Sequence, residues 1–190
     1  VQGRNVVSGF SPGGRGGWSR LGPYPVRVDG GVLSVRAFGG DANLSAIELR
    51  KGSTSPTPPS VPVPPTPPAA PTKSLFRAVN LGGGTLTIDG KTFVSQASGS
   101  IETNGTAFAS PSTALSPAAE GARAEMIRSS VWSNSLSVVA NGVPNGDCEV
   151  YMTVWEDNYA QTVDISVQGV RVVERMGTGA AGEWKRIGPF

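Results

Sequence analysis

Aromatic, amide and carboxylate side chains are adjacent in the segment Trp155–Tyr159, which reads WEDNY. This combination suits a polyol ligand, because an aromatic face stacks on sugar C–H groups while polar groups bind the hydroxyls. A solvated loop without a ligand is the alternative, and the sequence favours it. Glu156 and Asp157 are not expected to act as a glycosidase pair, because neighbouring residues of a strand point to opposite faces.

The composition excludes several classes of chemistry. The chain of 190 residues has no histidine and one cysteine, so it has no His-based triad, His-ligated metal or internal disulfide. Its net charge of +2 does not fit a nucleic-acid-binding surface, and no apolar run is long enough to span a membrane. We expect no enzyme, metal, cofactor, nucleic-acid partner or membrane span. Cys148 is predicted to be a buried free thiol, with a crosslink between subunits as the alternative.

Two kinds of glycosylation signal occur in the chain. Sequons for N-glycosylation begin at Asn43 and Asn104, both in regions rich in Gly, Ser and Thr. Hydroxyl residues beside prolines resemble the attachment sites of O-glycosylated stalks. The hydroxyl residues in this context include Thr57, Ser60 and Thr66. Chance occurrence of the sequons and an unmodified linker are the alternatives.

Nine of the sixteen prolines lie between Ser53 and Thr72, in a segment without charged or aromatic residues. The proline ring fixes φ at an extended value and disfavours helix in the residue before it, so polyproline II is predicted. At about 3.1 Å per residue, the segment would reach roughly 60 Å. We interpret residues 52–72 as a stiff linker. A ligand for proline-recognising domains is less favoured, because no Arg flanks its P-x-x-P spacing.

The two ends of the chain are related in sequence. Val1–Tyr24 aligns with Val167–Phe190 without a gap, and 11 positions are identical, including Trp, Gly and Pro. Each position of the first segment matches the position numbered 166 higher in the second. Such similarity indicates a tandem repeat whose period equals that offset. The sequence is thus interpreted as one period plus an overlap.

The repeat and the linker divide the chain into three parts. Residues 1–51 are predicted to be the C-terminal part of one repeat, and residues 73–190 the N-terminal and central part of the next. A whole unit is expected to need residues 73–190 together with a counterpart of Pro25–Lys51. Neighbouring copies of the same repeat are therefore the expected partners.

Alternating apolar and polar residues predict that both globular parts consist of strands. Asp89-Gly90 is typical of a type I′ hairpin turn, and Ala118–Arg128 is the best helix candidate. About ten short strands predict an all-β unit, an antiparallel sandwich or jelly roll. The clearest predicted strands are Val32–Phe38, Asn43–Arg50, Phe76–Asn80, Leu136–Ala140, Cys148–Trp155 and Thr162–Val167.

Several segments, in this order, resemble the malectin-like, di-glucose-binding carbohydrate-recognition domains. They read FRAVNLGGG, TIDGKTF, GVPNGDCEVYMTVWEDN, TVDISVQG and GEWKRIGPF, and the earlier copy contains GGDANLSAIELRKG. The resemblance covers both globular parts and leaves out only the proline-rich segment. It implies a malectin-like β-sandwich in each repeat.

The resemblance also implies a sugar site, built in the family from loop aromatics at one sandwich edge and an Asp before the last strand. Trp155, Asp157, Asn158 and Tyr159 fall in the corresponding loop, and Asp41 falls in the corresponding turn. Asn158 stands where the family has one of its usual aromatic pair. The tyrosine expected near Arg128–Trp132 is absent, although a tryptophan is close by.

Two functions follow from these features. The first is structural: β-sandwich repeats on proline-rich rods would form an extracellular or cell-surface glycoprotein fibre. Low charge, many Gly, Ser and Thr residues and few catalytic residue types favour it. The alternative is a multivalent carbohydrate-binding module that gains avidity from repetition and could accompany a glycoside hydrolase.

Overall fold

The computed structural model describes residues 26–52 and 73–190 of the chain. The polyproline II prediction and the candidate glycosylation residues Thr57, Ser60 and Thr66 lie outside these residues. The first copy of the repeated segment, Val1–Tyr24, also lies outside them. Among the described residues, no helix is long and apolar enough to cross a membrane.

Twelve strands and one short helix make up the described ranges. In chain order they are β1 (Val26–Val28), β2 (Val32–Gly52), β3 (Lys73–Asn80), β4 (Leu86–Ile88), β5 (Lys91–Ser95), β6 (Ile101–Thr103), β7 (Thr106–Ala109), α1 (Gly121–Arg128), β8 (Ser129–Asn141), β9 (Gly146–Trp155), β10 (Thr162–Val167), β11 (Val170–Gly177) and β12 (Trp184–Ile187). The predicted all-β class is confirmed.

Strand β2 is the centre of the sheet. Its first half pairs with β8 and β10, and its second half pairs with β9 and β3, all in antiparallel orientation. The register with β8 shifts between Phe38 and Ala42, and the pairing with β8 continues to Leu44. The pairings with β9 and β3 begin at Leu44 and Ala46, so the change of partners occurs there. All twelve strands are connected through such pairings, and the parallel pair β3–β5 makes the sheet mixed.

The buried core depends on β2. Residues 42–49 of β2 are all buried, because this stretch has strands on both edges and side chains packed on both faces. Leu33, Val35, Leu44 and Leu49 from β2 join the main apolar cluster with residues from β8, β9 and β10. Without β2, the strands of residues 73–190 would leave much of this apolar surface in water.

The local turn chemistry agrees with the sequence pattern at the hairpin between β4 and β5. Asp89 and Gly90 have φ values of 50° and 72°, the left-handed conformation that a type I′ turn requires at both central residues. Helix α1 begins at Gly121, three residues later than predicted, and buries Met126 and Ile127 on its sheet-facing side.

The structure differs from the predicted strand list in two ways. Residues 32–52 form one strand, whereas the sequence predicted two strands separated by a turn at Gly39-Gly40. Strands β6, β7, β11 and β12 are additional to those predicted. Residues 26–52 also join residues 73–190 in one sheet, so the two sequence regions assigned to successive repeats together build one unit.

Candidate functional site

A pocket of about 340 Å³ lies where β2, β7 and β8 meet the loop after β9. The loop after β9 brings three consecutive residues of the predicted sugar-binding segment to this pocket, and β2 brings Asp41. The lining residues are Asp41, Asn43, Phe108, Trp132, Glu156, Asp157, Asn158 and Tyr159. Three of the eight are aromatic and five are polar.

Two aromatic side chains of the pocket are open to solvent. Trp132 of β8 is 40% exposed and Tyr159 of the loop is 65% exposed. Large aromatic residues are costly to leave in water, so two of them beside one pocket provide apolar faces for a ligand. Phe108 of β7 also lines the pocket but is half-buried.

A short hydrogen bond links two side chains, Asn43 and Asp157, on the polar side of the pocket. Asn43 Nδ2 donates to Asp157 Oδ1 at 2.7 Å, which connects β2 to the loop after β9. Asn43 also accepts a longer bond of 3.5 Å from Ser130 Oγ through its Oδ1. Asn43 is 5% exposed and is held in place, whereas Asn158 is exposed. The pocket therefore combines a fixed amide and carboxylate with a more accessible amide.

Glu156 anchors the loop that carries Asp157, Asn158 and Tyr159. Its Oε1 accepts hydrogen bonds from the backbone N–H groups of Asp157 and Asn158 at 3.1 and 3.2 Å. Its Oε2 accepts a hydrogen bond from Thr178 Oγ at 2.5 Å. Burial raises the pKa of Glu156, and the bond from Thr178 opposes that shift by favouring the carboxylate.

Backbone bonds fix the same loop against the segment before β12. Glu156 N–H donates to the Glu183 carbonyl at 2.8 Å, and Gly182 N–H donates to the Glu156 carbonyl at 2.7 Å. Gln161 N–H donates to Thr178 Oγ at 2.8 Å at the far end of the loop. Because the loop is held at both ends, Tyr159 is presented from a fixed base.

Trp155 does not take the position expected of a sugar platform. It is 0% exposed and belongs to a smaller apolar cluster with Ala46 and Ile127, against which the pocket residue Phe108 packs. The two rings are stacked, with centroids 6.5 Å apart and an angle of 26° between their planes. The physical reason is that every residue from Val150 to Trp155 in β9 is buried, so the last strand residue packs inward. Trp132 of β8 instead presents an indole to the pocket.

The two N-glycosylation candidates have different positions. Asn43 is buried in β2 and its Nδ2 is bonded to Asp157, so a glycan on this nitrogen is incompatible with the fold. Asn104 is exposed in the turn between β6 and β7, where its Oδ1 accepts from Ser137 N–H at 2.8 Å and its Nδ2 donates to the Ser135 carbonyl at 2.9 Å, so exposure is what distinguishes it from Asn43. Asn43 is therefore a structural residue of the pocket, and Asn104 stays a predicted acceptor.

Cys148 is a buried free thiol, as predicted. Burial raises its pKa above the ordinary value, which makes its thiolate scarce. Within residues 26–52 and 73–190, no group of three His, Cys, Asp or Glu residues is placed to hold a metal ion.

The structure places four of the five predicted sugar-site residues in one pocket. The fifth, Trp155, is buried, and Trp132 lines the pocket instead. Asp41, Asp157, Asn158 and Tyr159 line one pocket, although Asp41 is far from the others in sequence. The sequence-based site did not include Phe108, Trp132 and Asn43. Of these three residues, only Trp132 could have been found from the sequence. An aromatic residue that lies in a strand between buried and polar positions can belong to the exposed face of that strand.

Comparison with known proteins identifies no relative. No family description, curated protein or solved structure matches the chain.

Proposed function

We propose that the unit is a carbohydrate-binding module with a malectin-like β-sandwich fold, and that the pocket beside Trp132 and Tyr159 is its sugar site. The observation that carries the proposal is the joint exposure of these two aromatic residues around one polar pocket. Aromatic faces match the C–H faces of a pyranose, while Asp157 and Asn158 match its hydroxyl groups. The passage of β2 between two sets of strand partners supports the sandwich arrangement.

The proposed activity is binding without hydrolysis. A glycosidase needs two carboxyl groups that face each other across the scissile bond, about 5–9.5 Å apart. Both Glu156 oxygens already accept hydrogen bonds from the loop and from Thr178, so the role of this residue is to hold the loop of the site in place. Asp157 is bonded to Asn43 and serves as a ligand-orienting group. The pocket volume of about 340 Å³ suits one or two sugar residues of a larger glycan.

Alanine substitution of the two exposed aromatics tests the proposal. Trp132→Ala and Tyr159→Ala should each weaken glycan binding about tenfold, which corresponds to a loss of about 1.4 kcal/mol of stacking. A glycan array would identify the ligand, and calorimetric titration would give the affinities. Phe76→Ala is the matched control, because Phe76 is 38% exposed on β3 and does not line the pocket. No glycan bound on the array, or equal affinities for Trp132→Ala and the unsubstituted chain, would refute the proposal.

The structural role is the second candidate, and one register observation favours it. Phe190 exchanges two backbone hydrogen bonds with Val150 of β9, at 2.9 and 3.0 Å. Val26 of β1 pairs with Cys148, two positions further along the same edge of β9. The sequence repeat aligns Tyr24 with Phe190, and Val26 is two residues after Tyr24. In a continuous repeat, the counterpart of Val26 would therefore be two residues after Phe190 and would pair with Cys148, as Val26 does here.

This register supports a chain of repeated units at the extracellular or cell surface. Each unit would be completed by strands with the sequence of β1 and β2, and the proline-rich segments would space the units. Electron microscopy of the concentrated protein should then show fibres with a regular spacing. Dispersed single particles at every concentration would contradict the structural role and leave glycan binding unaffected.

A further inference from the structure

Strands β1 and β2, called here the β1–β2 pair although they lie on opposite edges of β9, occupy sites that any copy of this chain can fill. The pair is connected to residues 73–190 only through residues 53–72, yet β2 pairs with four strands of that region. Its residues 42–49 are buried on both faces. Residues 73–190 therefore form an acceptor that is incomplete until a β1–β2 pair enters it.

The two ends of the proline-rich segment lie side by side. Gly52 at the end of β2 pairs with Lys73 at the start of β3, and Lys51 pairs with Ser74. Cα atoms of directly paired antiparallel residues are about 4.5–5.5 Å apart. The nine prolines between Gly52 and Lys73 predict a rod that would reach roughly 60 Å. A rod of that predicted length would place its two ends far apart, so the prediction disfavours closure within one chain.

We propose that copies of this chain associate by strand exchange, with the β1–β2 pair of one copy seated in the 73–190 acceptor of another. Every contact of β2 is kept in the exchanged arrangement, so exchange costs no buried area. The proline-rich segment can then extend between two units instead of closing on one. This inference does not depend on glycan binding, and it gives the structural role a mechanism.

Exchange would also divide the pocket between two copies. Asp41 and Asn43 belong to β2, whereas Trp132, Asp157 and Tyr159 belong to the acceptor. The bond of 2.7 Å from Asn43 to Asp157 would then join one copy to the other. Each complete pocket would be a composite of two chains.

A disulfide pair at the strand ends distinguishes exchange from closure. Gly52→Cys with Lys73→Cys places two thiols at paired positions, so oxidation links β2 to β3 wherever they meet. The chain is refolded from denaturant at a series of concentrations, oxidised and analysed by denaturing electrophoresis without reductant. We expect covalent dimers and larger species whose fraction rises with concentration. All variants also carry Cys148→Ala, because the native thiol could otherwise form crosslinks of its own. The two variants with only one engineered cysteine are controls and should give at most dimers.

A second variant isolates the effect of the prolines. Residues 53–72 are replaced by a Gly/Ser segment of equal length, whose coil dimension of about 25 Å allows easy closure. This variant should crosslink mainly within monomers, with at least fivefold less intermolecular product at equal concentration. Equal yields of intermolecular product from the chains with the natural and the Gly/Ser linker would overturn the role given to the proline-rich segment.

Exclusively intramolecular crosslinks in the natural linker, at all concentrations, would overturn strand exchange. Light scattering of the refolded unsubstituted chain provides a readout without engineered cysteines, and a constant monomer mass would overturn it equally. Fibres accompanied by intramolecular crosslinks alone would retain the structural role while rejecting exchange. The failure of one proposal is thus distinguishable from the failure of the other.

Discussion

The hydroxyl group of Thr178 supports the proposed pocket through Glu156, and Thr178→Val tests that support. Valine keeps the shape of the side chain and replaces only the hydroxyl by a methyl group, so steric effects are small. The substitution removes the donor to Glu156 Oε2 and the acceptor for Gln161 N–H at once. The loop that carries Tyr159 thus loses one side-chain hydrogen bond at each end, while its backbone bonds to the segment before β12 remain.

The expected magnitude follows from these two bonds. A hydrogen bond to a charged carboxylate contributes about 1.5–3 kcal/mol, and the backbone N–H bond about 1 kcal/mol. Thr178 is buried, so water cannot easily replace the lost partners. We expect Thr178→Val to lower the free energy of unfolding by about 2–4 kcal/mol, a large fraction of the stability of a typical domain.

Urea unfolding followed by tryptophan fluorescence measures this loss. Thr87→Val is the matched control, because Thr87 is exposed in β4 and its substitution should change stability by less than about 0.5 kcal/mol. A double-mutant cycle with Glu156→Gln should give a coupling of about 1–3 kcal/mol between the two side chains. A loss below about 0.5 kcal/mol for Thr178→Val, or no coupling in the cycle, would contradict the reasoning.

Two further predictions concern Gly82, which lies against Ser130 of β8, and the protonation of Glu156. Gly82→Ala should lower the unfolding free energy by roughly 2–4 kcal/mol, because Gly82 has a φ of 74° and a Cβ there would collide with the Ser130 carbonyl. Gly84→Ala, with no atom within 4 Å of its Cβ position, should change it by less than about 0.5 kcal/mol; equal losses would argue against the explanation. Burial raises the pKa of Glu156, so its charged form destabilises the folded state above that pKa. This destabilisation is relieved as the pH falls towards the ordinary glutamate pKa of about 4.3. The unfolding free energy of the unsubstituted chain relative to Glu156→Gln should therefore rise as the pH is lowered from about 7 to about 4, and a flat or falling difference in urea titrations would rule out this assignment.

The β-rich fold was predictable because its signals are local. Asp89-Gly90 requires a left-handed turn, and the alternating residues of β8 and β10 match a two-residue period. The continuity of β2 was not predictable in this way. Gly39 and Gly40 suggest a turn, but the strand continues through them as a β-bulge, in which Gly39 takes a φ of 94° and the pairing with β8 shifts register. That outcome depends on which strands flank β2, which a local pattern does not contain.

The site was predictable where residues follow one another and not where strands bring them together. Asp157, Asn158 and Tyr159 are consecutive and share one loop. Trp155 was assigned to the same surface, but β9 is buried on both faces, so alternation along the strand did not reveal the inward direction. The contribution of Trp132 depends on the pairing of β8 with β2, where it lies opposite Asn43.

The two proposals have a joint thermodynamic consequence. A ligand that contacts both Asp41 of β2 and Trp132 of the acceptor binds only when β2 is seated, so its binding free energy also stabilises the seated strand. At a ligand concentration one hundred times the dissociation constant, this linkage contributes about 2.7 kcal/mol. Glycan binding would then lengthen the lifetime of a junction between copies, while an unseated β2 would leave the pocket without Asn43 and its bond to Asp157. A fibre built by strand exchange would for this reason be most stable where its glycan is abundant.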